Sequence, residues 1–178
     1  MPEGIVARRR GGPEIVELVD VIADDLAGGV PVALGFECPV FVPVEPLRLG
    51  MARAGEGNRS WSAGAGTGAL ATGLVQMAWI LEHLCARSPD SEVFLDWQSF
   101  WSARRGLFLW EAFVTDRAKA ETHVDDAAVA VTCFVSLLPD PPAQNAIDEA
   151  RVLSLLGAAV LWSGWSDELE LTNGEIYE

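Results

Sequence analysis

The spacing of apolar residues along the chain predicts several helices. Between Pro13 and Gly28, apolar residues recur every three or four positions; proline suits a first helical turn and glycine a C-terminal stop. The same spacing recurs in a long segment after a glycine-rich stretch and in a segment that ends before Pro139. The pattern therefore predicts helices over residues 13–28, 67–86, 122–138 and 147–161.

Two further apolar runs have the composition of strands. They are VPVALGFECPVFVPV at residues 30–44 and LFLWEAFVT at residues 107–115. Each run is nearly continuous, which is typical of a strand that is covered on both faces. The segment 93–106 fits either a short strand or a helix, and the four-residue spacing of Trp97 and Trp101 favours the helix.

The alternation of helices and strands predicts a single α/β domain over residues 1–178. No internal repeat and no change of composition divides the chain. After the last predicted helix, Asn173 and Gly174 indicate the turn of a hairpin, so a helix and a hairpin are expected to extend the domain. The glycine-rich segment 55–68 lacks the pattern of a phosphate-binding loop and is expected to lead into the next helix.

Composition and charge limit the classes of protein to which the chain can belong. Half of the residues are hydrophobic, so a core is expected. The longest apolar stretches are interrupted by Glu37 and Pro139 before they reach the ~20 residues of a membrane span, which predicts a cytoplasmic protein without a membrane segment. The formal charge of −14 repels polyphosphate and argues against tight, non-specific binding of nucleic acid.

The three cysteines are expected to be reduced and to serve as small hydrophobic side chains. Cys38, Cys85 and Cys133 lie far apart, match no zinc-binding spacing and leave one thiol without a partner.

Three carboxylates stand in apolar surroundings and require an explanation, because burial of an unpaired carboxylate is costly. Glu37 and Glu111 interrupt the two strand-like runs, and Asp126 lies in the first turn of a predicted helix. His123 precedes Asp126 by three residues and shares its face of that helix. Together these four residues predict a site for one Mg²⁺ or Mn²⁺, with a strand end supplying Glu37 at the edge where α/β proteins bind ligands.

Ordinary structural roles account for part of the same pattern. Thr122 can cap the helix that begins with His123, and Asp125 and Asp126 then complement the positive end of its dipole. This alternative explains Asp125 fully and leaves His123 without a role.

Arginines offer a second ordinary explanation for the two glutamates. Glu37 could pair with Arg48 or Arg53, and Glu111 could pair with Arg104 or Arg105; both alternatives stay open at the level of sequence.

The order of these features resembles the ribonuclease H-like superfamily. A helix, a strand with an acid before proline (GFECPVFVP), a long helix, a strand with an acid (LWEAFV) and a helix opening with HVDDA follow one another over residues 13–140. This order is most similar to an uncharacterised branch of predicted nucleases and to the Holliday-junction resolvase type. The resemblance implies a three-layer α/β domain with a mixed sheet flanked by helices.

The resemblance also implies an activity, that of a nuclease-like hydrolase of phosphodiesters that depends on a divalent metal. Glu37 matches the acid of the middle parallel strand, Asp126 the acid of the last helix, and His123 the position one turn earlier. Glu111 matches a strand acid of the uncharacterised branch. Nucleic acid or a small phosphate compound would be the substrate, Glu37, Glu111 and Asp126 the metal ligands, and His123 a ligand or proton shuttle.

One departure from the family leaves two alternatives: either the given start lies downstream of the true one, or this is a shortened, degenerate member with an altered or lost activity. The family begins with a hairpin whose first strand carries a metal-binding aspartate, and only MPEGIVARRRGG precedes the first predicted helix, so the domain is expected to be N-terminally shortened. Asp96 is a conceivable substitute. The alternative function is that of a non-catalytic binding or assembly module, with Trp162 and Trp165 in a homodimer interface or in the core.

Overall fold

The fold is given by a computed structural model that describes residues 14–44, 64–114, 119–141 and 151–174. Helices and short strands alternate along most of the chain. In order, the elements are α1 (Ile15–Ala27), β1 (Val32–Phe36), β2 (Phe41–Pro43), α2 (Gly64–Arg87), β3 (Val93–Phe94), α3 (Trp97–Ala103), β4 (Leu107–Glu111), α4 (His123–Ser136), β5 (Val152–Ser154), α5 (Leu155–Trp162), a 3₁₀ helix (Leu169–Thr172) and β6 (Asn173–Gly174).

The helices predicted over residues 13–28, 67–86 and 122–138 form close to the predicted positions. α1 buries one stripe and ends at Gly28, whose N–H bonds the Asp24 carbonyl, while α2 buries four apolar residues of its C-terminal half. Segment 93–106, for which the sequence allowed either a short strand or a helix, contains both: the strand β3 is followed by the helix α3. The stripes are Val19, Ile22, Ala23 and Leu26 in α1 and Met77, Ile80, Leu81 and Leu84 in α2.

A parallel sheet with helices on both faces forms the centre of the fold. Its strand order is β1-β4-β3, and β4 pairs in parallel with both neighbours. On one face, Leu34 and Leu109 belong to a core cluster with residues of α1, α2 and α5. On the other face, Phe108 and Trp110 pack with residues of α3 and with Phe134 of α4. The prediction of an α/β architecture is therefore confirmed.

The strand-like run at residues 30–44 divides between two sheets. β1 belongs to the parallel sheet, and β2 pairs with β5 in an antiparallel sheet of order β2-β5-β6. The bend between β1 and β2 includes Glu37 and Pro39, and proline lacks the N–H that would continue a ladder. The described strands thus form one parallel and one antiparallel sheet, where the sequence predicted one mixed sheet.

The C-terminal prediction is wrong in two respects within the described residues. Val152–Ser154 forms a strand and not a helix, so that α5 begins only at Leu155. Asn173 and Gly174 lie in β6, opposite Leu153 and Val152, and do not form a hairpin turn. Local propensity favours helix and turn here, and pairing between distant segments overrides it.

α2 meets the criteria of length and apolar composition for a helix that could cross a membrane. No other helix in the part of the chain that the structure describes meets both criteria. Its residues Met77, Leu81 and Leu84 are fully buried in the main core cluster beside α1 and β1. The buried share of its apolar window is 22%, and the remainder of that window is exposed or half-buried.

Candidate metal centre

Glu37 lies immediately after the carboxyl end of β1, as the sequence predicts. Side chains alternate between the two faces of a strand, and Gly35 and Glu37 therefore share the face that α4 covers. The ring of Trp110 lies directly over Gly35, where a Cβ atom would approach Trp110 Cε2 to 2.6 Å. Because glycine has no Cβ atom, the large side chain of Trp110 can pack over Gly35, on the same face as Glu37.

The N-terminus of α4 supplies the two other groups of the cluster. Thr122 caps this helix, because its Oγ1 accepts the N–H of Asp125 at 3.2 Å and donates to the Asp125 carboxylate at 2.6 Å. Asp126 Oδ1 accepts the N–H of Ala120 at 2.6 Å. The cap explains Asp125, as expected, and the bond from Ala120 orients the Asp126 carboxylate from outside the helix.

Glu37, His123 and Asp126 converge on one point. His123 Nδ1 lies 3.3 Å from Glu37 Oε2 and 4.0 Å from Asp126 Oδ2. One potential ligand atom from each residue lies within 4.8 Å of the others. The side chain of His123 is 83% exposed, whereas those of Glu37 and Asp126 are 16% and 4% exposed, so the cluster opens to solvent on the histidine side.

Burial disfavours the charged form of the Glu37 carboxylate. Burial raises the pKa of Glu37, and the nearby Asp126 raises it further, while Lys119 and His123 act in the opposite direction. Glu37 Oε1 is buried and has no hydrogen-bond partner among the described residues. An acceptor in this state costs free energy that a cation or a water molecule at the cluster would recover.

Glu111 does not join this cluster. Its Oε2 accepts two backbone N–H groups of the bend, from Val40 at 2.7 Å and from Phe41 at 3.1 Å. Glu111 is the register partner of Phe36, and partners in adjacent strands point to the same face. That face is opposite to the face of Glu37, which is why two acids at neighbouring strand ends separate.

Cys38 lies between the two glutamates and remains a protonated thiol. Burial, together with the charges of Glu111 and Glu37, raises the pKa of Cys38 to about 12. A Cβ atom on Gly73 would approach Cys38 Sγ to 2.5 Å, so α2 packs directly against the bend. Cys38 is therefore a packing residue, as the sequence predicts, and offers no thiolate for a metal at neutral pH.

Asp96 and the two arginines that follow α3 take structural roles elsewhere. Asp96 caps α3 by accepting the N–H of Ser99 at 2.7 Å, and it is not part of the cluster formed by Glu37, His123 and Asp126. Arg104 lies over the ring of Trp101 at 3.7 Å, and Arg105 pairs with Glu92 at 2.8 Å. The predicted pairing of either arginine with Glu111 is therefore not found.

Some of the predicted features lie outside the described residues. Arg48 and Arg53, the suggested partners of Glu37, are among them, as is most of the glycine-rich segment 55–68.

Lys119 is the site residue that the sequence reasoning did not identify. Its positive charge is the strongest of the charges that lower the pKa of Glu37 against the effect of burial. A signal was present in the sequence, because Lys119 is the only lysine of the chain and lies four residues before His123.

Comparison of the chain with protein-family models, with curated proteins and with solved structures finds no match.

Proposed function

We propose that the chain is a divalent-metal-dependent phosphodiester hydrolase of ribonuclease H-like topology, with Glu37, His123 and Asp126 as its metal site. The observation that supports this most directly is the convergence of one imidazole and two carboxylates, with a ligand atom of each within 4.8 Å of the others. The order of elements adds support, because the acids follow a parallel strand and open a late helix, as in that superfamily.

The state of the two carboxylates supports a cation as their partner. Glu37 and Asp126 repel each other, and Glu37 Oε1 is buried without a partner in the described ranges. A divalent cation would neutralise both charges and could bind Glu37 through Oε2, the oxygen that lies 3.3 Å from His123 Nδ1. Asp126 has one oxygen held by the Ala120 N–H, which leaves Oδ2 on the side of His123.

The ligand types favour Mn²⁺ or Mg²⁺. Carboxylate oxygens suit both ions, and the imidazole nitrogen makes Mn²⁺ the better match. Three protein ligands leave coordination positions for water and for an oxygen of the substrate. Glu111 is not among the proposed ligands, because its Oε2 is committed to the bend between β1 and β2.

Each residue of the cluster has a defined part in the proposed reaction. A bound divalent ion would activate a water molecule and neutralise charge on the phosphate. The buried carboxylates of Glu37 and Asp126 would hold that ion in a fixed place. His123 would supply a ring nitrogen as the third ligand, and its largely exposed side chain lies at the open side of the site, where the substrate must enter.

Metal-dependent thermal stability tests the proposal. Saturating Mn²⁺ is expected to raise the melting temperature relative to protein in EDTA, because it binds only the folded state; at 100 times Kd the gain is about 2.7 kcal/mol. Asp126→Asn is expected to abolish the shift, and Mn²⁺-dependent hydrolysis of a model phosphodiester should be lost with it.

Asp125→Asn is the matched control for this experiment. It removes the same charge one residue away, at the helix cap, and should retain both the Mn²⁺ shift and the hydrolysis. Absence of a Mn²⁺ effect on the wild-type protein, or an equal loss in both variants, would overturn the proposed metal site.

A second candidate function is that of a binding or assembly module. The side chain of Trp162 is exposed at the end of α5, with 65% of its surface accessible, whereas Trp165 packs against the core and bonds the Ser91 carbonyl at 2.8 Å. Exposed tryptophan is frequent at interfaces. Dimerisation that is lost in Trp162→Ser, measured by analytical ultracentrifugation, would support this function.

A further inference from the structure

Lys119 is held next to the proposed metal site by the chain itself. The N–H of Ala120 donates to Asp126 Oδ1 at 2.6 Å. Since two covalent bonds separate that nitrogen from the Lys119 Cα, the Cα lies within about 5 Å of the Asp126 carboxylate. The lysine side chain is long enough to bring its ammonium to any side of the cluster from there.

The ammonium of Lys119 is uncommitted within the described ranges. The residue is exposed and makes no hydrogen bond or ion pair there, unlike Arg87 and Arg105, which pair with Asp20 and Glu92. It acts on Glu37 through its charge alone. A flexible, exposed ammonium beside a metal site is suited to an incoming anion, because lysine binds phosphate as a point charge.

The charge of the cluster determines when an anion can bind. Two carboxylates, from Glu37 and Asp126, and one ammonium, from Lys119, carry a formal charge of −1 together when His123 is neutral. A divalent cation changes this charge to +1. The site therefore repels anions without metal and attracts them with metal.

We infer that Lys119 binds a phosphate group of the ligand at this site, and that the phosphate binds only after the metal. The inference rests on the proposed function, because it requires a metal held by Glu37, His123 and Asp126. Before the metal binds, Lys119 partly compensates the charge of the carboxylates; afterwards its ammonium contacts the phosphate beside the ion. The shared chemistry of the ligands is a phosphate group, either free or in an ester.

The only lysine of the chain provides a direct spectroscopic test. Reductive methylation with ¹³C-formaldehyde preserves the charge and labels Lys119 and the N-terminal amine, which give separate NMR signals. Mg²⁺ should shift the Lys119 signal, and inorganic phosphate should shift it further only when Mg²⁺ is present. A phosphate-induced shift of equal size in EDTA, or no phosphate-induced shift in Mg²⁺, would overturn the inference.

Calorimetric titration of variants tests the role of the charge. Lys119→Gln is expected to weaken phosphate binding in Mg²⁺ about 10- to 100-fold, as for loss of one charge-assisted hydrogen bond, and to tighten Mg²⁺ binding. Lys119→Arg should restore phosphate binding. Arg105→Gln removes one positive charge at the other end of β4 and is the control that should leave both affinities unchanged.

The outcomes separate this inference from the proposed function. If the wild-type protein binds no metal, the metal site fails and the inference fails with it. If metal binds but Lys119→Gln and the wild type have equal phosphate affinity, the inference fails and the metal site stands. Titration with a nucleoside monophosphate and with a short oligonucleotide then distinguishes a terminal phosphate from a phosphodiester as the preferred group.

Discussion

Glu37 and Glu111 are two acids at the ends of adjacent parallel strands, and the structure uses them in opposite ways. Glu111 accepts two backbone N–H groups and fastens the bend between β1 and β2. Glu37 faces α4, where it meets His123 and Asp126 and keeps a buried oxygen without a partner among the described residues. A carboxylate satisfied by the backbone has a structural role, whereas one that is buried and short of donors is a candidate ligand.

The largest expected effect comes from removal of the structural acid. Glu111→Ala leaves the buried N–H of Val40 and that of Phe41 without their acceptor, which should cost about 2–3 kcal/mol of unfolding free energy. The melting temperature should fall by roughly 4–12 °C, measured by calorimetry. A stability equal to that of the wild type would mean that Glu111 does not fasten the bend.

The opposite sign is expected for the candidate ligand. Glu37→Gln removes a charge that burial and Asp126 both disfavour, so the metal-free protein should gain about 1 kcal/mol of unfolding free energy near neutral pH. The same variant should lose the stabilisation by Mn²⁺. Denaturant unfolding in EDTA and in Mn²⁺ measures both effects. If Glu37→Gln instead lowers the unfolding free energy in EDTA, then Glu37 stabilises the fold as Glu111 does.

The pH dependence of the unfolding free energy gives a further test of the difference between Glu37 and Glu111. The pKa of Glu37 is raised in the folded state above its ordinary value of 4.5, so folding favours the protonated form. This contribution is fully present below pH 4.5 and is lost as the pH rises through the folded-state pKa.

Wild-type protein in EDTA should therefore lose stability relative to Glu37→Gln as the pH increases from about 4.5 towards neutrality. Unfolding free energies of both proteins across this range measure the difference. A difference that does not change with pH would contradict the role assigned to burial of Glu37.

The smallest expected effect concerns the two adjacent aspartates of α4. Asp125→Asn weakens the cap with Thr122 and should cost only about 0.3–1 kcal/mol, without any change in Mn²⁺ binding. Asp126→Asn should instead remove Mn²⁺ binding. Unfolding and metal titration of the two variants would show whether the helix cap and the metal site are separate. Loss of metal binding in Asp125→Asn would mean that Asp125 also contributes to the metal site.

Much of the site could be predicted from sequence because its parts depend on local rules. The three-residue spacing of His123 and Asp126 places them on one face of any helix. Gly35 and Pro39 around Glu37 indicate the end of a strand, and Thr122 indicates a helix start. These patterns involve only neighbours along the chain, so the residue types are sufficient to reveal them.

Tertiary structure decided the rest, because it depends on which segments meet. Alternation along a strand shows that side chains face two sides, but the packing of α4 determines which side becomes the site, and this separates Glu37 from Glu111. The bond from Ala120 to Asp126 brings Lys119 to the cluster. Pairing of β5 with β2 and β6 likewise converted Val152–Ser154, within a predicted helix, into a strand, since contacts between distant residues outweigh local propensity.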